Sequence, residues 1–254
     1  MHKILRREID MNGTGKGKKI IITGASRGIG KATALKLAQK GYDLVLVSSR
    51  SEFELNELKG QITSQYDVKV DVVTCDVGDA SAVKANEAAF KDAYALINNA
   101  AISKVKLLTD MDIEEWDRVI NVNLNSIFYM SRCVLPHMIE AKEGRIINIS
   151  SVWGNVGASM EVAYSTAKGG VNAFTKALAK ELGPSNIQVN AVSFGVIDTS
   201  MNDCFTEDEM DALKEEIPMD RIGTTEEAAE MIVNVLESPD YMTGQIITMD
   251  GGWI

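Results

Sequence analysis

Lys19-Ile20-Ile21-Ile22-Thr23-Gly24-Ala25-Ser26-Arg27-Gly28-Ile29-Gly30 is the stretch whose reading decides the fold. A short run of β-branched residues enters a glycine-rich turn and leaves it in a helix-forming segment, 28–40, that stops at Gly41. Glycines at such a turn let the backbone bend sharply and approach a ligand, and free N–H groups at the start of the helix suit a pyrophosphate. The spacing is Gly-x-x-x-Gly-x-Gly, which differs from the common dinucleotide fingerprint, so the turn alone leaves a plain strand-to-helix connection as an equal alternative.

Outward from this turn the same alternation repeats. Strands are expected at 19–23, 44–48, 68–75, 95–98, 145–150, 187–192 and 246–249, all rich in Val and Ile. Helices are expected at 28–40, 52–64, 81–90, 113–139, 163–182 and 226–237. Strands alternating with helices predict an α/β fold: a single doubly wound, Rossmann-like domain over 19–254, with a seven-stranded parallel sheet and helices on both faces. A flexible leader is expected at 1–18. Segment 198–223 breaks the rhythm with a helical run at 207–216, as expected of a lid beside the carboxyl edge of a sheet.

Composition narrows the function. Thirty-six acids against 26 bases give a net charge of −10, which argues against nucleic acid or an anionic membrane as partner. Cys75, Cys133 and Cys204 are odd in number and far apart, so reduced thiols in a cytoplasmic protein are expected, and no metal site. No apolar run is long enough for a signal peptide or a membrane span. After the second strand, Ser48-Ser49-Arg50 offers hydroxyls and a guanidinium where an NAD site would place a carboxylate on the ribose. With Arg27 in the glycine turn, Ser49 and Arg50 suit a 2′-phosphate and therefore NADP(H). The alternative is that Arg50 is a solvated start of the next helix.

Tyr164 and Lys168 stand four apart and share a helix face, and a nearby ammonium favours the phenolate. Such a pair on a helix surface is often merely solvated. Upstream, Ser150-Ser151 closes the fifth strand at the carboxyl end of the sheet, where α/β sites form.

Taken with Asn98-Asn99-Ala100-Ala101, Asn123 and the ending Thr243-Gly244-Gln245…Asp250-Gly251-Gly252, the chain resembles the short-chain dehydrogenase/reductase family over 19–254. The resemblance implies that Tyr164 protonates the substrate oxygen, Ser151 holds it, Lys168 lowers the tyrosine pKa and binds the nicotinamide ribose, and Asn123 holds a relay water. It also implies cofactor contacts from Gly24, Ser26, Arg27, Gly28, Ile29 and Gly30, from Asp76 and Val77 at the adenine, and from Asn98 and Ala100 at the strand edge. Ile197 and Thr199 would meet the carboxamide, and Tyr164 and Lys168 the ribose. Two departures stand out: Ala101 replaces the family's glycine, and Phe194-Gly195 replaces Pro-Gly. Losing that proline predicts a more mobile or differently shaped loop, unless Phe194 simply packs in the core.

Within the family the chain is most similar to the 3-oxoacyl-acyl-carrier-protein reductases, and 151–164, 196–202 and 216–218 are similar to the elongation factor P 5-aminopentanone reductases. This resemblance implies a ketone substrate attached to a carrier or a translation factor, and a homotetramer or dimer. Glu143 and Ser185 stand where carrier-docking arginines are expected, while Lys104, Lys106 and Arg132 remain as basic candidates. Glu161 or an acid of the lid, such as Asp203, would meet a terminal ammonium, unless these acids are solvated. The alternatives are a 3-oxoacyl-carrier reductase of fatty acid synthesis, a dehydrogenase of a small free alcohol, and a non-catalytic NADP-binding regulator.

Overall fold

The computed structural model describes residues 15–254, so 1–14 of the expected leader lie outside the described residues. Residues 15–18 run along the turn before the second strand: the Gly15 N–H donates to the Lys40 carbonyl at 3.2 Å, and Lys16 bridges Tyr42.

Seven strands follow: β1 (Lys19–Thr23), β2 (Asp43–Ser48), β3 (Val70–Thr74), β4 (Ala95–Asn98), β5 (Gly144–Ser151), β6 (Ile187–Phe194) and β7 (Ile246–Met249). They form one sheet in the order β3-β2-β1-β4-β5-β6-β7, and every pair is parallel. The expected parallel α/β architecture is therefore the observed one. Both faces are covered, so residues alternate between two cores rather than between core and water. Ile20, Ile22, Leu44 and Leu46 face one side with Leu37 and Ile232, while Ile21, Val45, Val47 and Leu96 face the other with Met130 and Val134. Each fully buried side chain of this size contributes about 1.5–3 kcal/mol.

The helices are α1 (Gly28–Gln39), α2 (Glu52–Gln65), α3 (Ala80–Ala85), α4 (Ile113–Ile120), α5 (Ser126–Ala141), α6 (Trp153–Val156), α7 (Val162–Leu182), α8 (Glu207–Glu216) and α9 (Thr225–Leu236). Capping boxes fix the starts of α4, α8 and α9, through Asp112 with Glu115, Thr206 with Glu209 and Thr224 with Glu227.

Three expectations need correction. The helix expected at 113–139 is α4 and α5 joined by a π-helical turn, Asn121–Asn125, in which the Ser126 N–H reaches the Asn121 carbonyl. The helix expected at 81–90 is the short α3 followed by a 3-10 turn at Glu87–Phe90. Both β5 and β6 are longer than expected, because Ser151 at the end of β5 and Ser193 and Phe194 at the end of β6 are buried and paired in the sheet.

At the amino edge of the sheet a polar and aromatic cluster closes the domain. Tyr42 and Tyr94 stack with centroids 6.5 Å apart, and Lys18 Nζ sits 3.9 Å above the Tyr94 ring while pairing with Glu143 at 2.7 Å. Arg145 donates to the Tyr94 hydroxyl at 3.1 Å and to Asp240 at 2.6 Å.

Candidate active site

At the opposite, carboxyl edge the strand order reverses between β1 and β4, and connections there diverge to leave a crevice. One cleft of about 1330 Å³ occupies it. The turn after β1 forms its nucleotide end. Gly24 and Gly28 have φ of +67° and +54°, which favour glycine, and a Cβ on Gly24 would lie 2.9 Å from the Ala100 Cα. Asn99 holds this turn: its Nδ2 donates to the carbonyls of Thr23 and Gly24 at 3.0 and 3.1 Å. The backbone N–H groups of Asn99 and Ala100 both donate to Thr23 Oγ1 at 3.0 Å, tying β4 to β1.

Ser26, Arg27, Gly28 and Ile29 line the cleft at the start of α1, and Ser49 and Arg50 line it after β2. No acid stands in the first turn of α1, so its N–H groups face no local carboxylate. Asp76, Val77 and Ala100 line the adjoining wall. Asp76 accepts the Gly78 N–H at 3.0 Å and pairs with Arg118 at 2.8 Å, which adds Arg118 to this wall. The residues present therefore fit a dinucleotide, with backbone close at the glycine turn and guanidinium groups around the ribose end.

The catalytic end lies where β5 runs into α6 and α7. Ser151 is the last residue of β5 and is buried; its Oγ accepts the Trp153 N–H at 3.2 Å. Tyr164 and Lys168 follow on α7, one turn apart, and both line the cleft with Ser151. Lys168 is 2 % exposed, donates to the Ile149 carbonyl at 2.7 Å, and has its Nζ 5.5 Å from the Tyr164 ring centroid. Burial pushes the Lys168 ammonium down to about 8. Burial foremost, then the charge of Glu161, push the Tyr164 phenol up, and its hydrogen bond with Ser151 only partly opposes them. The direction is opposite to the lowering implied by the resemblance, and it keeps the phenol protonated at neutral pH.

Three expected site residues sit outside the cleft lining. Gly30 packs under the turn, where a Cβ would lie 2.2 Å from the Gly24 carbonyl oxygen. Asn98 is buried and donates to Asn148 Oδ1 at 2.9 Å, and Asn148 in turn donates to Thr175 at 2.9 Å. Asn123, in the π-helical turn, uses both amide atoms on the backbone of Ile102 at 2.8 Å. Its side chain thus fixes the loop after β4.

A second polar chain stands behind the catalytic residues. Ser150 donates to Asn172 at 2.6 Å, Asn172 to Asn155 at 2.9 Å, and Asn155 to Ser193 at 3.2 Å, linking β5, α7, α6 and β6. Buried networks satisfied in this way hold neighbouring groups in one arrangement.

The remaining wall comes from 194–205. Ile197 and Thr199 line the cleft, and the Thr199 methyl lies 3.2 Å from where a Gly28 Cβ would stand. Phe194 is buried in the core and also lines the cleft, with its carbonyl accepting the Val152 N–H at 3.0 Å. Glu161 lines the cleft, and of the lid acids Glu209 and Glu216 line it as well, while Asp203 is exposed outside it. Glu161 is half-buried, accepts from Ser103 at 3.1 Å, and has its carboxyl raised by burial.

A nucleotide turn and a Ser-Tyr-Lys cluster facing one crevice define an oxidoreductase of the doubly wound α/β class. The family model described as short chain dehydrogenase matches residues 18–210, and the chain belongs to that family. Such enzymes use a nicotinamide cofactor. The chain is 37% identical over 238 residues to the "Uncharacterized oxidoreductase YmfI" of Bacillus subtilis, covering 93% of this chain and 98% of that protein. It is 37% identical over 245 residues to the 3-oxoacyl-[acyl-carrier-protein] reductase FabG of Aquifex aeolicus, covering 93% and 97% respectively. A crystal structure of the 3-oxoacyl-[acyl-carrier protein] reductase from Brucella melitensis superimposes with a TM-score of 0.90 at 28% identity, covering 100% of this chain and 98% of that one. Among the described residues no helix is long and apolar enough to cross a membrane, and no group of three His, Cys, Asp or Glu side chains could hold a metal ion.

Proposed function

We propose that the protein reduces a ketone to a secondary alcohol with NADPH, on a group carried by a protein, as in the elongation factor P 5-aminopentanone reductases. One observation carries this reading: a single cleft holds Ser151, Tyr164 and Lys168 at one end and Arg27, Ser49 and Arg50 at the other. When bound, the cofactor supplies hydride from the nicotinamide C4. Ser151 Oγ accepts the Trp153 backbone N–H and is hydrogen-bonded to Tyr164, so the two hydroxyls stand together to hold the substrate oxygen. Tyr164 donates the proton that completes the alcohol, and its raised pKa keeps that proton available. Lys168 holds the ribose and offsets the phenolate charge left behind. The segment 198–223 closes the cleft as a lid.

Arg27, Ser49 and Arg50 support NADPH over NADH, since Ser48-Ser49-Arg50 after β2 carries no carboxylate where an NAD site would place one. Arg50→Ala should raise the KM for NADPH about tenfold or more, the scale of a charge-assisted hydrogen bond, and barely alter that for NADH. Equal effects on both cofactors would remove the 2′-phosphate role.

For the substrate, Glu161 is an acid held by a cleft hydroxyl, that of Ser103, beside Tyr164. An ammonium placed there would favour its charged form. Two of the basic candidates for docking an acidic carrier, Lys104 and Lys106, are already paired with Glu115 at 3.5 and 2.8 Å. The second reading, a 3-oxoacyl-carrier reductase, is supported by the names of the Aquifex and Brucella proteins. Catalytic efficiency on a 3-oxoacyl carrier protein, its pantetheine thioester and an aminopentanone-modified elongation factor separates the two. The amine-bearing ketone should be best, and Glu161→Gln should reduce its efficiency about tenfold, as for a lost charged hydrogen bond. A marked preference for the carrier protein over its thioester restores the fatty-acid reading.

We also read the protein as a cytoplasmic homo-oligomer. Cys75, Cys133 and Cys204 are free thiols, and Ile113, Phe128 and Val162 present exposed apolar side chains on α4, α5 and α7.

A further inference from the structure

Two indoles stand in the cleft wall beside Ser151, and the chemistry just described gives them no task. Trp153 opens α6, and its backbone N–H donates to Ser151 Oγ at 3.2 Å. The Trp253 ring meets it edge to face, with centroids 4.8 Å apart and planes at 62°. Both rings line the cleft and both are half-buried.

Trp253 arrives there by a defined route. β7 runs parallel to β6 and therefore ends at the carboxyl edge, after which Gly251 and Gly252, with φ of +71° and +84°, fold the chain back. Asp250 holds that turn: its Oδ1 accepts the Gly252 N–H at 2.9 Å and its Oδ2 the Ile254 N–H at 3.0 Å. A Cβ on Gly195, in the loop after β6, would lie 2.9 Å from the Asp250 Cα, so the turn also abuts the cleft's own loop.

We propose that Trp253 is a specificity-determining residue: through Trp153 it sets a rigid aromatic wall next to the hydroxyl that holds the reacting oxygen. This inference rests on the ketone-reductase reading. One substituent of the carbonyl carbon packs on that wall. Two rings locked edge to face form an angular wall that accepts an unbranched methylene chain lying along it and rejects a substituent branched at the α-carbon. Unlike Glu161, which reads charge, the indole pair reads shape. Aromatic pairs in offset or edge geometry resist displacement, which makes the exclusion sharp.

The test compares two neutral methyl ketones, one with a straight alkyl chain and one branched at the α-carbon, in wild type, Trp253→Ala and Trp253→Phe. Trp253→Ala should lower kcat/KM for the straight chain and raise it for the branched ketone, shifting their ratio by about tenfold or more, the range for methylene-scale discrimination in an apolar pocket. The KM for NADPH should stay unchanged, and Trp253→Phe, which keeps an aromatic wall, should hold the ratio near that of wild type. A purely structural tryptophan would depress both ketones together. If Trp253→Ala leaves the ratio as it is in wild type, the proposal falls while the reductase reading stands. If wild type reduces neither ketone, nor the aminopentanone-modified factor, both fall. Should Trp253→Ala fail to fold, Trp253→Leu takes its place in the same comparison, with the same outcomes deciding.

Discussion

Tyr164→Phe is expected to lower turnover about 100-fold or more, the usual size of a general acid–base contribution, with little change in affinity for NADPH. The ring stays and only the hydroxyl goes, so the packing of α7 against β5 is kept. What is lost is the proton that burial and Glu161 hold on the phenol, together with the hydrogen bond to Ser151. The hydroxyl of Ser151 would still reach the substrate oxygen, which is why a small residual rate should persist. Steady-state kinetics with a fluorescence titration of NADPH reads both quantities. Near-normal turnover would take Tyr164 out of the mechanism.

Gly30→Ala is expected to damage both stability and cofactor binding, although alanine favours a helix over glycine by roughly 0.5–1 kcal/mol. The clash decides the sign. The new Cβ would stand 2.2 Å from the Gly24 carbonyl oxygen and 2.7 Å from Asn99 Nδ2. Neither neighbour is a loose end: one is backbone, and the other is hydrogen-bonded to the carbonyls of Thr23 and Gly24. Overpacking of this kind costs about 1–3 kcal/mol. At roughly 2–4 °C per kcal/mol for a domain of this size, Tm should fall by several degrees. Because relief of the clash moves the glycine turn itself, NADPH affinity should drop with it. A variant with unaltered Tm and unaltered NADPH affinity would show that Gly30 has room the structure does not give it.

Much of this architecture is legible in the chain because strands buried on both faces write themselves as unbroken runs such as Ile20-Ile21-Ile22 and Leu44-Val45-Leu46-Val47. The ends of β5 and β6 were harder to read. Ser193 looks like a surface residue until its partner Asn155 arrives from α6. The π-helical turn hides for a different reason: the apolar spacing of 113–139 continues across Asn121-Val122-Asn123, and nothing local marks the extra residue. Within the site, Tyr164, Lys168 and Ser151 could be brought together from spacing. Asn99 stood in a quoted motif without a role, and only its bonds to Thr23 and Gly24 give it one. Arg118 carried no signal at all. Glu161 and Asp203 stood as equal candidates in the chain, and only the folded cleft, which Glu161 lines and Asp203 does not, separates them.

The amino edge of the sheet has a consequence for redesign. Lys18, Tyr94, Glu143, Arg145 and Asp240 knit that edge together, and none of them lines the cleft, which draws its walls from the carboxyl ends of the same strands. A parallel sheet thus separates two kinds of selection along each strand: one end answers to endurance, the other to chemistry. Stabilising substitutions around Tyr94 and Arg145 should therefore escape the usual trade between robustness and turnover, because no catalytic group has to move with them.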